Sequence, residues 1–297
     1  MTDSAQRLRF DVVDVFTDRP FAGNPLAVVH GADGLDTAQL AAIAAEFNLS
    51  ETVFPLRPSA PVEASYRARI FTPVAELPFA GHPSVGVAWV LARDGVIGNG
   101  EAIQECGAGL LPVWVDAAGA RVDAGRPHVG GKLDGAALAE AVGLTAADVD
   151  PVAAAGVCGA GLDFPIVVVR ADAVAKAVVP EPTALNRATE NRGTVYVVAL
   201  DLASGRVHAR MFGPGVGVAE DPATGSAAVA LAVFLVNRGL LPPDGEAAFS
   251  VSQGEELGRP SLLDVTVTAW AGAAVRAAVG GRVVAVSSGE MLVPPRE

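Results

Sequence analysis

The chain has 297 residues, about half of them hydrophobic, and its 33 acidic side chains against 21 basic ones leave a net charge of −12. That balance excludes a nucleic-acid face, which needs a basic surface, and makes an anionic membrane an unfavourable partner. The longest clean apolar run, residues 223–236, is bounded by Asp221 and Arg238 and falls short of the ~20 residues that span a bilayer, so no membrane segment is expected.

The N-terminal stretch, residues 1–9, is polar and lacks the pattern of a secretory leader, so a cytoplasmic protein is expected. The length suits two domains. Residues 10–16 set Val12, Val13 and Val15 against Asp11 and Asp14, the alternation of a strand. Gly23-Asn24-Pro25 is a turn into a second strand over 26–29. Asp36-Thr37-Ala38-Gln39 reads as a capping box, opening a helix with Leu40, Ile43, Ala44 and Phe47 on one face. Asn48-Leu49-Ser50 closes it before strands over 51–56 and 67–71. A helix over 83–92 is apolar almost all round and therefore buried. Strands over 109–115 and 119–123 follow, and the Ala-, Gly- and Asp-rich segment 125–156 is expected to hold a surface helix over 135–142 and the crossover between halves.

The second half repeats this order. Residues 164–169 resemble 24–29, strands are expected over 194–200 and 207–212, and a second buried helix over 227–236. Residues 252–267 mirror 105–115, with Pro112 and Pro260 in matching places, and a strand over 282–286 returns to the first half. The pattern is α+β: each half a mostly antiparallel sheet wrapped around one apolar helix. The expected domains are 1–125, completed by 281–297, and 126–280.

The duplication is sharpest at residues 76–91 and 220–235, where an offset of 144 places Glu76 on Glu220, Pro78 on Pro222 and Gly81 on Gly225. Upstream, Arg69 and Phe71 face Arg210 and Phe212 at an offset of 141, so the second copy carries three extra residues. A repeat that keeps its frame but changes His82 into Ser226 suggests two halves contributing different groups to one site. Gly81-His82-Pro83-Ser84 and Thr224-Gly225-Ser226-Ala227 each open a buried helix, where free N–H groups and the helix dipole favour an anion. Taken singly, either is an ordinary loop-to-helix cap; the duplicated pair points to a substrate carboxylate or an enolate-like charge. Glu51, at a helix-to-strand junction, is either a solvated turn residue or, in an apolar cleft, a carboxylate suited to acid–base work. Asp221, present in one copy only, is a turn cap or a grip for a substrate amine. His82 is a structural histidine or a neutral hydrogen-bonding group. The two cysteines make no disulfide framework, and no Cys/His spacing resembles a zinc site, so no metal is expected.

Asp14-Val15-Phe16-Thr17 with Gly23-Asn24-Pro25, Asn48-Leu49-Ser50-Glu51-Thr52, Phe79-Ala80-Gly81-His82-Pro83 and Asp221-Pro222-Ala223-Thr224-Gly225-Ser226 together resemble the PhzF-like (phenazine biosynthesis-like) isomerase family. The resemblance implies the diaminopimelate-epimerase type of fold, two pseudo-symmetric domains with the active site between them. It implies isomerisation of a trans-2,3-dihydro-3-hydroxyanthranilate-like acid without cofactor, and a homodimer. By the same resemblance Glu51 is the acid–base carboxylate, with His82 and Asp221 beside it as catalytic residues. The substrate-binding set is Asn24, Ser50, Gly81, Pro83, Thr224, Gly225 and Ser226. Related racemases carry a cysteine ahead of each motif glycine. Here Ala80 and Ala223 or Thr224 stand there, and Cys106 and Cys158 lie elsewhere, which argues against two-thiol chemistry. An epimerase of related shape and a non-catalytic ligand-binding protein on the same scaffold remain the alternatives.

Overall fold

The computed structural model describes residues 6–296; Met1–Ala5 and Glu297, assigned above to the first domain, lie outside the described residues. The chain divides into two compact units, residues up to Val122 together with those from Gly281 onward, and Asp123–Gly280.

The first unit runs β1 (Arg7–Val15), β2 (Asn24–Val29), α1 (Thr37–Phe47), β3 (Glu51–Leu56), β4 (Tyr66–Phe71), β5 (Glu76–Leu77), α2 (Gly81–Arg93), β6 (Gly100–Cys106), β7 (Gly109–Val115) and β8 (Gly119–Asp123). The second runs β9 (Pro127–Lys132), α3 (Gly135–Ala141), β10 (Gly156–Ala160), β11 (Asp163–Val168), α4 (Pro182–Ala188), β12 (Val195–Asp201), β13 (Arg206–Gly213), β14 (Val218–Asp221), α5 (Gly225–Asn237), β15 (Gly245–Gln253) and β16 (Ser261–Trp270). A long strand, β17 (Ala273–Leu292), begins there and finishes in the first unit.

The pairing scheme is the same twice. In the first unit β1–β2 is antiparallel, β2–β3 parallel, β3–β4 and β4–β5 antiparallel, β4–β6 parallel, and β6–β7 antiparallel. In the second, β10–β11, β11–β12, β12–β13, β13–β14, β13–β15 and β15–β16 follow the same sequence of directions. Parallel neighbours need a crossover. Here α1 and α4 cross between β2–β3 and β11–β12, while α2 and α5 cross between β4–β6 and β13–β15.

The crossovers create two kinds of core. α2 packs against β1, β2, β3, β4 and β7, and α5 against β9, β10, β11 and β16. Both are buried nearly throughout, as their all-round apolar sequences require. Gly86 permits the close approach of α2: a Cβ there would lie 2.5 Å from Leu26 Cδ2 and 2.9 Å from Val15 Cγ2. α1 and α4 cover the opposite faces amphipathically. α1 buries Leu40, Ile43 and Ala44 against Leu8, Val29, Phe54 and Phe71, and Leu185 of α4 joins a cluster with Leu138, Val167, Val195 and Phe212. The capping box at α1 forms: Gln39 N–H donates to Asp36, and the Asp36 N–H donates to the Gln39 side chain. Such a cap is worth about 1 kcal/mol.

Five sequence expectations are corrected. Both buried helices begin two residues early, at Gly81 and Gly225, so Pro83 is the third helical residue rather than the first. Its missing N–H still falls among the unpaired donors of the first turn. The 135–142 helix is not a surface element throughout: Leu138 and Ala139 are fully buried. Segment 125–156 also contains β9, which pairs with β10. Pro112 and Pro260 are not equivalent, because Gln104 faces Leu111 whereas Gln253 faces Ser261, leaving Pro260 ahead of its strand. The terminal strand extends well beyond 282–286, running from Ala273 to Leu292 and pairing first with β16 and then with β1.

Candidate active site

Each motif is delivered to its helix by a hairpin held with the same device. Arg69 donates twice to Glu76, at 2.7 and 2.7 Å, and lies over the Phe71 ring; Arg210 donates twice to Glu220, at 2.8 and 2.8 Å, and lies over Phe212. Bidentate pairing fixes both position and plane. It also raises the affinity of both arginines for their protons and holds the Glu76 carboxyl below its usual range. The three extra residues of the second copy fall in the turn containing Pro214–Val216, between the two ends of its fork. That is why the offset changes from 141 to 144 there without disturbing either motif.

In the first unit the structure brings Asn24, Ser50, Glu51 and His82 together. The Ser50 hydroxyl donates to Asn24 Oδ1 at 3.2 Å, and His82 Nδ1 lies 3.5 Å from Glu51 Oε2. Glu51 opens β3 in parallel register with Leu26 of β2, and only 16% of its side chain is exposed. His82 is buried, at 4% exposure, and burial pushes its pKa down to about 3, opposed by a hydrogen bond to the Pro25 backbone. Burial, more than the helix end, therefore keeps this imidazole neutral. Its Nε2 has no hydrogen-bond partner among the described residues. Gly81 and Pro83 lie with it in the first turn of α2, whose N-cap, Ala80, offers no side-chain cap.

Stability should respond to His82 in acid. A buried histidine with a depressed pKa contributes stability above its unfolded value near 6.5, and that contribution is lost as pH falls toward about 3. Urea unfolding at pH 7 and pH 4 should show His82→Gln losing on the order of 3 kcal/mol less than the wild type across that interval. Equal losses would remove His82 from the acid limb.

In the second unit Asp221, Thr224, Gly225 and Ser226 form one turn at the head of α5. The Thr224 hydroxyl donates to Asp221 Oδ2 at 2.6 Å, the short charge-assisted range. Asp221 and Ser226 are both buried.

Residues that the motif reading missed stand beneath both helix starts. In the first unit Tyr66 O–H donates to Gln104 Oε1 at 3.1 Å, and Gln104 Nε2–H donates to Ser84 Oγ at 2.9 Å. In the second, Tyr196 O–H donates to Gln253 Oε1 at 3.2 Å, and Gln253 Nε2–H donates to Thr224 Oγ1 at 3.0 Å. Burial pushes both phenols strongly upward, so both remain donors. Their sequence signal was a glutamine at an inward position of an alternating strand, Gln104 after Ala102 and Gln253 after Val251.

Neither cysteine lies at a helix start. Cys106 ends β6 and Cys158 sits in β10, and burial raises both thiols, Cys158 to about 11. Metal-ligating atoms do converge at Asp11, His30 and Asp94. That cluster is already occupied by arginine: Arg93 Nη2 lies 3.0 Å from Asp11 Oδ1, and Arg9 contacts Asp94.

Comparison with known proteins places these features in context. The profile of the PhzC–PhzF family, described as phenazine biosynthesis-like protein, matches residues 13–289. An uncharacterized isomerase of Mesorhizobium japonicum is 35% identical, over 97% of this chain and 100% of that protein. The trans-2,3-dihydro-3-hydroxyanthranilate isomerase of Pseudomonas chlororaphis is 32% identical, over 95% of this chain and 98% of its own length. The crystal structure of a PhzF-family phenazine biosynthesis protein from Bacillus anthracis superposes with a TM-score of 0.87 at 24% identity, covering 97% of this chain and 100% of that one. No described helix is long and apolar enough to cross a membrane.

Proposed function

We propose, for a chain that belongs to the phenazine biosynthesis-like (PhzF) family and is an isomerase, that it moves a proton between carbons of a small cyclic, amino-bearing acid. The substrate class is that of trans-2,3-dihydro-3-hydroxyanthranilate, by analogy with the Pseudomonas chlororaphis relative. The observation that carries the reading is the Glu51 carboxylate 3.5 Å from a buried, neutral imidazole that stands in the first turn of a helix whose N-cap, Ala80, gives no side-chain cap.

Glu51, as carboxylate, removes a proton from one ring carbon and, as carboxylic acid, returns it to another, so atoms and charge balance without a co-reactant. A neutral His82 does not hold Glu51 in an ion pair. His82 packs beside this carboxylate, with Nδ1 3.5 Å away, while its hydrogen bond goes to the Pro25 backbone. N–H groups at Gly81 and Gly225 favour negative charge developing on the substrate. Asp221 takes the substrate's amine, while Asn24, Ser50, Pro83, Thr224 and Ser226 shape the binding surface. The positions and protonation of Cys106 and Cys158 weigh against two-thiol racemisation. A homodimer and a cytoplasmic location belong to the same reading.

The test is incubation of the wild-type protein with trans-2,3-dihydro-3-hydroxyanthranilate in heavy water. Carbon-bound deuterium in recovered substrate or product is expected by NMR, and its absence over that acid and a panel of cyclic amino acids would sink the reading. Asp221→Asn should weaken amine-bearing ligands more than their deaminated analogues. Equal weakening would remove the role given to Asp221.

A further inference from the structure

We infer that Gln253 and Tyr196 are positioning residues for Asp221, locking the turn that presents its carboxylate at the head of α5. The inference rests on Asp221 being a site residue, as proposed above, and on a hydrogen-bond pattern that leaves the turn no alternative.

A glutamine amide has two N–H donors and two acceptor lone pairs. Gln253 is fully buried and all four are used. Its Nε2 donates to the Asp221 carbonyl at 2.8 Å and to Thr224 Oγ1 at 3.0 Å. Its Oε1 accepts from Tyr196 O–H at 3.2 Å and from Thr224 N–H at 3.3 Å. Reversing the amide would set donor against donor at Thr224 N–H and acceptor against acceptor at the Asp221 carbonyl, so the orientation is determined. The Thr224 hydroxyl, accepting from Gln253, directs its own proton to Asp221 Oδ2. Tyr196 fixes Gln253, Gln253 fixes Thr224, and Thr224 fixes the carboxylate. Ser261 braces the same turn, donating to the Pro222 carbonyl at 3.0 Å.

The first unit supplies the contrast. There Tyr66 and Gln104 make the same contact, but from β4 rather than from the strand equivalent to β12, and the chain of donors ends differently. Ser84 Oγ, held by Gln104, donates to the Ala80 carbonyl at 2.9 Å. That relay ends on backbone and is a fold element; the one in the second unit ends on a carboxylate.

The experiment follows the Asp221 carboxyl carbon by 13C NMR in the full-length protein, its signal assigned by loss in Asp221→Asn. Gln253→Leu and Thr224→Val should each raise the Asp221 titration midpoint by about one pH unit, a tenfold change in proton affinity. Thr224→Ser, which keeps the hydroxyl, should restore it. Gln104→Leu should lower the melting temperature while leaving the Asp221 midpoint in place. An unmoved midpoint in Thr224→Val and Tyr196→Phe, both close in volume to the native residues, overturns the inference even if Gln253→Leu fails to fold. So does an equal shift in Gln104→Leu. The measurement needs no substrate: an inactive wild type sinks the proposed reaction, and an indifferent Asp221 sinks this assignment.

Discussion

Glu51→Gln should abolish proton exchange while leaving a folded protein. Glutamine keeps the size and most hydrogen bonds of glutamate but cannot take up a proton from carbon. Removing a positioned general base costs roughly 10²- to 10⁴-fold in rate. The loss should appear in kcat rather than in substrate binding, because the side chain's shape survives. Glu51 is mostly shielded beside the buried His82, so the variant's melting temperature is the necessary control. NMR exchange in heavy water, scored against circular dichroism of the same sample, decides the matter. A folded variant exchanging at the wild-type rate would mean that another group is the base.

The second large effect is on stability. Phe234→Ala should cost about 3–5 kcal/mol, the range for deleting a buried aromatic ring. Phe234 is fully enclosed in α5, a helix with no exposed face except at its C-terminal end. Its ring also carries Arg238, whose guanidinium carbon lies 4.8 Å from the ring centroid while Nε–H donates to the Ala154 carbonyl. The substitution therefore opens a cavity and frees a side chain that ties the end of α5 to a neighbouring loop. Chemical denaturation should show a lower midpoint. A loss below 1 kcal/mol would mean that the sheet collapses onto the helix, and that its packing is less rigid than the burial implies.

Which features could be read from sequence follows from the range of the interactions. The capping box at Asp36 and Gln39 is chemistry between residues three apart, and it stands as read. The repeated Arg–Glu forks are visible as retained letters, Arg69 with Glu76 and Arg210 with Glu220, although only the folded hairpins bring the partners together. The buried helices were legible from composition, but their first turns were not. Glycine disfavours helix, and only the surrounding strands draw Gly81 and Gly225 into it. The Tyr–Gln relays were hidden for a different reason. Tyr66 and Gln104 are 38 residues apart and Tyr196 and Gln253 are 57 apart, and the tyrosines come from non-equivalent strands, so no offset superimposes them. At the site, Glu51 and His82 belong to separate motifs that the family resemblance assigns to one site, and their 3.5 Å separation is a product of the fold.

β17 has a consequence for the order in which the protein can be made. Its later part, from Val283 to Leu292, pairs along the whole of β1, and Gly119 lies so close to its entry that a Cβ there would sit 2.0 Å from the Gly281 carbonyl oxygen. The final strand of the N-terminal unit is thus translated only after the entire second unit. While the ribosome is still working, β1 has an unpaired edge, and such edges invite association between nascent chains. The second unit has its own sheet and core helix available earlier, so the half encoded first is the half completed last.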